Sequence, residues 1–131
     1  MEIKLVNHSN FNENSLDDFD RFQVVRNCYR LIDGNLVLVY HPFTETWDPE
    51  RKREKTREIL SGEYITYCAF DEDRVVGEIM LVPELDHGRL IVDSFHVSGD
   101  CRRRGIGRAL FDVAIEEGRR RGCLRCPRLG F

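Results

Sequence analysis
Between Leu90 and Leu110 the chain passes from a strand-like run, Leu90-Ile91-Val92-Asp93-Ser94-Phe95-His96-Val97, through a basic glycine turn into an amphipathic stretch. The turn reads Cys101-Arg102-Arg103-Arg104-Gly105-Ile106-Gly107-Arg108. Strand, basic glycine turn and helix start, in that order, make an anion site. Glycines let the backbone curl so that successive N–H groups point inward, and the free N–H groups and positive dipole end of the helix face the bound charge. Arg102, Arg103, Arg104 and Arg108 add donors suited to phosphate oxygens. The helix that follows carries Ile106, Ala109, Leu110, Val113 and Ala114, an i, i+3, i+4, i+7, i+8 stripe. Gly118 and Gly122 are expected to end it.

The spacing discriminates among phosphate loops. No Gly-Lys-Ser/Thr closes the turn, so it is not a P-loop, and it is not the dinucleotide G-x-G-x-x-G. Arg102-x-x-Gly105-x-Gly107 resembles the R/Q-x-x-G-x-G/A signature of the GNAT superfamily of N-acetyltransferases. Phe95-His96-Val97-Ser98 is similar to the end of that family's fourth strand. The resemblance covers Tyr64 to Gly122 well and the first 60 residues loosely. It implies an α+β fold: a GNAT-like mixed, mostly antiparallel sheet flanked by helices, with the cofactor helix after the fourth core strand. It also implies acetyl-CoA as cofactor. Phe95, His96 and Val97 would meet its pantetheine arm and thioester, and Arg102 to Arg108, with Gly105, Ile106 and Gly107, would cradle its pyrophosphate.

Taken in order, Ile3 to Val6 reads as a short strand. Ser15 with Asp18 resembles a capping box, and Leu16, Phe19, Phe22 and Gln23/Val24 give a loosely helical face. Cys28–Ile32 and Leu36–Tyr40 flank Asp33-Gly34-Asn35, a hairpin signal. His41 to Trp47 reads as a loop, in which Phe43 and Trp47 either line an acceptor pocket or pack in the core. Asp48-Pro49 starts a helix that runs to Leu60, with pairs such as Glu50–Arg53 and Glu54–Arg57 on a solvated face, and Ser61-Gly62 ends it. Tyr64–Phe70 and Arg74–Val82 are strands joined at Asp71-Glu72-Asp73. Gly77 signals a bulge or a close backbone approach. Pro83 to Gly88 is a turn, and Arg89 to Val97 completes an antiparallel meander.

At 131 residues the chain is expected to form one domain, 1–131. No apolar run approaches the roughly 20 residues of a membrane span, and Met1-Glu2-Ile3-Lys4 is no signal peptide. Five cysteines, an odd number, suit reduced thiols and a cytoplasmic location. From Val97 onward nine arginines face four carboxylates, although the whole chain carries −3. A basic end suits an anionic cofactor, and the acidic remainder suits a cationic acceptor. Nucleic acid binding through Arg102–Arg104 and Arg119–Arg121 is disfavoured, because no aromatics interleave there.

The chemistry the resemblance implies is acetyl transfer to the primary amine of a small molecule or protein. The alternative is a non-catalytic module that binds CoA or a partner. An amine of pKa about 10.4 is mostly protonated at neutral pH and needs a base. Strict alternation puts Val92, Ser94 and His96 on one strand face and Asp93, Phe95 and Val97 on the other. The base candidates are Glu78, at the family-like position for a water-mediated base, with Asp93 and His96. The N–H near Val97 is the candidate for holding the oxyanion. No tyrosine stands where the family often places its acid, since Tyr29, Tyr40, Tyr64 and Tyr67 all lie upstream. Cys123-x-x-Cys126 is half a metal or redox motif, which Cys101 or His87 would have to complete, and no metal site is expected. Family members normally continue with a fifth strand, a helix and a final hairpin. Here Arg121-Gly122-Cys123-Leu124 resembles the start of that strand and Leu129-Gly130-Phe131 the family's ending. The segment after about residue 123 is therefore expected to be abbreviated, or its wall supplied by a second copy in a homodimer.

Overall fold
The computed structural model describes residues 1–20, 22–32, 35–84, 88–101, 104–122 and 128–129, with the backbone course alone for 22–45, 89 and 128–129. The main sheet has five strands. β1 (Glu2–Leu5) lies at one edge beside β4 (Ile65–Asp71), followed by β5 (Arg74–Glu84), β6 (Arg89–Val97) and β7 (Arg128–Leu129). All pairings are antiparallel except β6 with β7, which is parallel. β2 (Phe22–Ile32) and β3 (Asn35–Thr46) form a separate antiparallel hairpin. Helix α1 (Pro49–Leu60) precedes β4, and α2 (Ile106–Arg120) follows β6 after a 3-10 turn at Gly99–Cys101. The expected α+β, mixed and mostly antiparallel sheet is present, with α2 after β6.

Alternation along β4 and β5 divides the core into two layers. Tyr67, Ala69, Ile79 and Leu81 face Ile106, Leu110 and Ala114 of α2. On the opposite face Cys68, Phe70 and Met80 pack with Phe11, Leu16, Phe19 and Ile59, under α1 and the N-terminal turns. Each layer gains about 25 cal/mol for every Å² of apolar surface it removes from water, which is why a stripe on α2 and alternation on the strands bring them together. Phe111 also joins the α2 layer, stacking on Phe95 with ring centroids 6.2 Å apart.

Several expectations are corrected. Residues 13–18 are turns rather than a helix, and Phe22 to Val24 belong to β2. Ser15 does not cap forward; its Oγ accepts the Asn12 N–H at 2.9 Å, and Asn7 and Asn12 side chains take further backbone N–H groups. These short polar side chains compete with helical bonding. His41 to Thr46 extend β3 instead of forming a loop, and the register shift between Val25 and Asn27 lets Pro42 sit in the ladder. β5 likewise runs through Pro83 to Glu84.

On α1 the Asp48 carboxylate caps the Arg51 N–H at 2.8 Å, with Pro49 in the first turn. The ion pairs differ from those expected: Arg51 meets Glu54 and Glu58, and Lys55 meets Glu58. Nor is the helix merely solvated, since Lys55, Thr56 and Ile59 are buried. Gly118 is buried inside α2; the helix stops at Gly122, whose φ of 75° is left-handed. Arg121 and Gly122 therefore close the helix, and Cys123 and Leu124 lie outside the described residues. The strand parallel to β6 comes later, at Arg128–Leu129.

Candidate functional site
Two bulges shape the sheet at the site. On β5, Ala69 pairs with Gly77 and Phe70 with Val75, so Val76 is the extra residue. Gly77 then lies directly under α2, where a Cβ would come 2.9 Å from Leu110 Cδ1 and 3.0 Å from Ile106 Cγ2. Both readings of this glycine, bulge and close approach, are realised. On β6, Met80 pairs with Ser94 and Leu81 with Val92, leaving Asp93 bulged. The bulge resets the alternation. Val92 consequently packs on the α2 side with Phe95 and Val97, not with Ser94 and His96 as strict alternation predicts.

The same strand leads into the glycine turn. β7 pairs with β6 only at Ile91 and Val92, so among the described residues no strand covers that edge from Asp93 to Val97. The Ser98 N–H donates to the Val76 carbonyl at 2.8 Å. Successive N–H groups of a strand point to opposite edges, which turns the Val97 N–H toward the open side. That edge runs straight to α2: a Cβ on Gly107 would sit 3.5 Å from Val97 Cγ2 and 3.6 Å from the Phe95 ring. Gly105 is the N-cap of α2 with φ 76°, and no side chain caps the first turn. The first-turn amides of Ile106, Gly107 and Arg108 therefore present donors and a positive dipole end that no side chain satisfies.

Arg108 is exposed beside this turn. Arg104 is turned aside, toward Asp71 Oδ2 at 3.4 Å and the buried Cys101 sulfur at 3.7 Å. Arg102 and Arg103 lie outside the described residues. The turn is braced from below. Ser98 Oγ accepts the Asp20 N–H and donates to Asp100, Gly99 N–H reaches the Asp20 carbonyl at 2.7 Å, and Arg74 contacts Asp100 and the Asp18 carbonyl. The Ser98 hydrogen bond first, and then Arg74, hold the Asp100 carboxyl below the usual carboxylate range. This brace was not legible in the sequence, because residues 18–20, 74 and 98–100 meet only through the fold.

Across the sheet from α2, three polar side chains converge. Glu78 is fully buried; its Oε1 lies 2.5 Å from His96 Nδ1 and accepts the Ser94 hydroxyl at 2.8 Å. Ser94 Oγ is also 3.2 Å from His96 Nδ1, and Glu78 Oε2 has no partner. The His96 side chain is 23% exposed, the Glu78 side chain 0%. Trp47 meets the His96 ring edge-on at 4.7 Å and stacks on Phe19, so it packs against a candidate base as well as in the core. Lys55 Nζ lies 5.7 Å from the Trp47 ring. Burial, and then the Glu78 charge, push the Cys68 thiol well up, which makes it an unreactive neighbour.

The third candidate, Asp93, is separate from this trio and sits near Tyr64, whose phenol it raises ahead of burial and of Glu58 and Glu63. Tyr67 is remote, tied to the buried Glu117 at 3.0 Å together with Arg120 and Arg121. The side chain of Phe43 and the pair Cys123 and Cys126 lie outside the description. Among the described residues no three His, Cys, Asp or Glu side chains gather at metal-binding distance. Two adjoining clefts of about 450 and 420 Å³ run along α1 past Glu13, Arg53 and Thr56, and neither is lined by Glu78 or His96.

A mixed sheet whose parallel pair lies beside a glycine-capped helix is the arrangement that the resemblance to an acetyltransferase fold implies. Residues 33–129 match the Acetyltransferase (GNAT) family, and the chain belongs to it. Family membership makes acetyl-CoA the cofactor. The fold is similar to that of nourseothricin acetyltransferase, with a TM-score of 0.70 at 20% identity over 93% of this chain and 68% of that one. It is similar also to a protein from Bacillus anthracis described as a putative streptothricin acetyltransferase, solved in complex with acetyl coenzyme A, with a TM-score of 0.66 at 16% identity over 93% and 69% of the two chains. A ribosomal-protein-alanine N-acetyltransferase from Brucella melitensis matches with a TM-score of 0.52 at 24% identity over 61% and 60%. None of the curated proteins compared with the chain matches it. Among the described residues no helix is long and apolar enough to cross a membrane.

Proposed function
We propose that the chain is an N-acetyltransferase that moves the acetyl group of acetyl-CoA to a primary amine of a small molecule or protein, with His96 as the base. The observation that carries this reading is the placement of His96: a partly exposed imidazole held by a buried carboxylate, on the strand whose open edge leads to the glycine-capped helix. Bound acetyl-CoA supplies the acyl group as a reactive thioester. The amides of Ile106, Gly107 and Arg108 hold the diphosphate, and the missing side-chain cap leaves them free of protein side chains for it. The Val97 N–H, aimed at the open edge, stabilises negative charge on the reacting carbonyl oxygen. His96 Nε2 takes the proton that the amine loses as it attacks, as a general base within reach of the acceptor would. Asp93 sits at the bulge beside Tyr64, apart from this hydrogen-bonded group, and is not assigned as the base.

Two measurements test this. Acetyl-CoA at about 100 times its Kd is expected to stabilise the fold by roughly 2.7 kcal/mol, whereas acetate does nothing. Thiol release should then follow addition of an amine from a panel of small polyamines and lysine peptides. Absence of a thermal shift at millimolar acetyl-CoA overturns cofactor binding at this turn. Binding without thiol release toward any amine leaves a CoA-binding or partner-binding module and overturns the transferase reading.

A further inference from the structure
We propose that Glu78 and Ser94 are positioning residues for His96: together they hold its proton on Nδ1 and leave Nε2 bare toward the acceptor. This rests on the reading of His96 as the base. It reassigns Glu78, because a side chain with no exposure cannot touch an amine, whereas the His96 side chain between it and solvent is 23% exposed. The hydrogen count decides the tautomer. Ser94 has one hydroxyl proton and donates it to Glu78 Oε1 at 2.8 Å, so toward His96 Nδ1, at 3.2 Å, the same oxygen can only accept. Glu78 Oε1 lies 2.5 Å from Nδ1 and as a carboxylate can only accept too. Both contacts are satisfied together by Nδ1–H. Trp47, edge-on at 4.7 Å, fixes the ring plane.

The arrangement follows from the bulge at Asp93, which puts Ser94 opposite Met80 and His96 opposite Glu78 on one face. Among the described residues the charged or titratable groups around the ring are few. Glu78 and, behind it, Cys68 face it from β5 and β4; Lys55 lies over Trp47 from α1 and is paired with Glu58 at 3.8 Å; Asp93, with Tyr64 beside it, lies on the same strand. A buried carboxylate on Nδ1–H strengthens the opposite nitrogen as a base and stabilises the imidazolium once Nε2 has taken the amine proton. The N–C bond to the acyl carbon forms, the C–S bond breaks with its electron pair on sulfur, and the proton on Nε2 passes to the thiolate or to water.

The test begins with the resting protein. A long-range ¹H–¹⁵N spectrum of neutral His96 is expected to show Nδ1 protonated and Nε2 bare. This readout needs no substrate, so it decides the positioning even where the amine panel fails. Glu78→Gln is expected to lower kcat/KM by about tenfold or more, with loss of the base itself, about 10²–10⁴-fold, as the upper bound. It should also move the acid limb of the pH profile to lower pH, while the thermal shift by acetyl-CoA is unchanged. Ser94→Ala should shift the limb the same way by less. An Nε2–H tautomer in the wild-type protein, or an acid limb that stays in place in Glu78→Gln, overturns the proposal.

Discussion
The substitution Gly77→Ala tests the contact that places the cofactor helix on the sheet. The added methyl would lie 2.9 Å from Leu110 Cδ1 and 3.0 Å from Ile106 Cγ2. Both neighbours are almost completely buried, so neither can swing away, and α2 must shift by several tenths of an ångström. Overpacking of this kind costs about 1–3 kcal/mol. Alanine restricts the unfolded chain and returns about 0.4–1 kcal/mol, since the φ of Gly77 is not positive. The expected loss is about 1–2 kcal/mol, which for a domain of this size lowers Tm by roughly 3–10 °C. Urea unfolding should show a lower midpoint with an unchanged m value. Because the displaced element carries the first-turn amides, the Kd for acetyl-CoA should rise as well. Gly107→Ala is the control: its methyl makes only ordinary contacts at 3.5–3.6 Å with Val97 and Phe95, and its φ is not positive, so the fold should gain about 0.4–1 kcal/mol. A Gly77→Ala protein as stable as the wild type would refute the close approach.

Three further outcomes are expected. Gly105→Glu puts a β-carbon at a left-handed position and a carboxylate in the anion site; isothermal titration should find no acetyl-CoA binding, and retained affinity would show that the diphosphate sits elsewhere. Tyr67→Phe removes one donor from the buried Glu117 and should cost about 1–2 kcal/mol in urea unfolding, leaving acetyl-CoA affinity intact. The lowered pKa of Asp100 means that the folded state binds its proton less readily than the unfolded chain. Its contribution is present above the ordinary aspartate pKa of about 3.9 and is lost as pH falls through the lower folded value. The side chain is 48% exposed, so Asp100→Asn should cost under about 1 kcal/mol at pH 7, and the difference from wild type should vanish in acid.

The parts of the fold legible from residues alone were those with a strong local cause. The α2 stripe, the Asp48-Pro49 start of α1, the Asp-Gly hairpin and the meander each follow from periodicity, a cap or a turn residue, which act within a few positions. The N-terminal turns, the length of β3 and the strand at Arg128–Leu129 were misread. In each case a competing partner decided: asparagine side chains for the turns, the β2 ladder for β3, and the edge of β6 for β7. At the site, Glu78 and His96 were candidates from position, but Ser94 was not among them. A serine two residues from a histidine signals nothing until the neighbouring strand brings a carboxylate to both.

By itself the sequence determined the family, because a strand, a basic glycine turn and an amphipathic helix are contiguous and their chemistry is local: unsatisfied amides at a helix start bind anions wherever they occur. Only the tertiary structure decided which side chains meet around them. One extra residue at Asp93 turns Val92 to the helix side and sets Ser94 and His96 over Glu78, and burial then removes Glu78 from the reach of any amine. Pairing register and exposure are set between strands, and no spacing along one strand contains them.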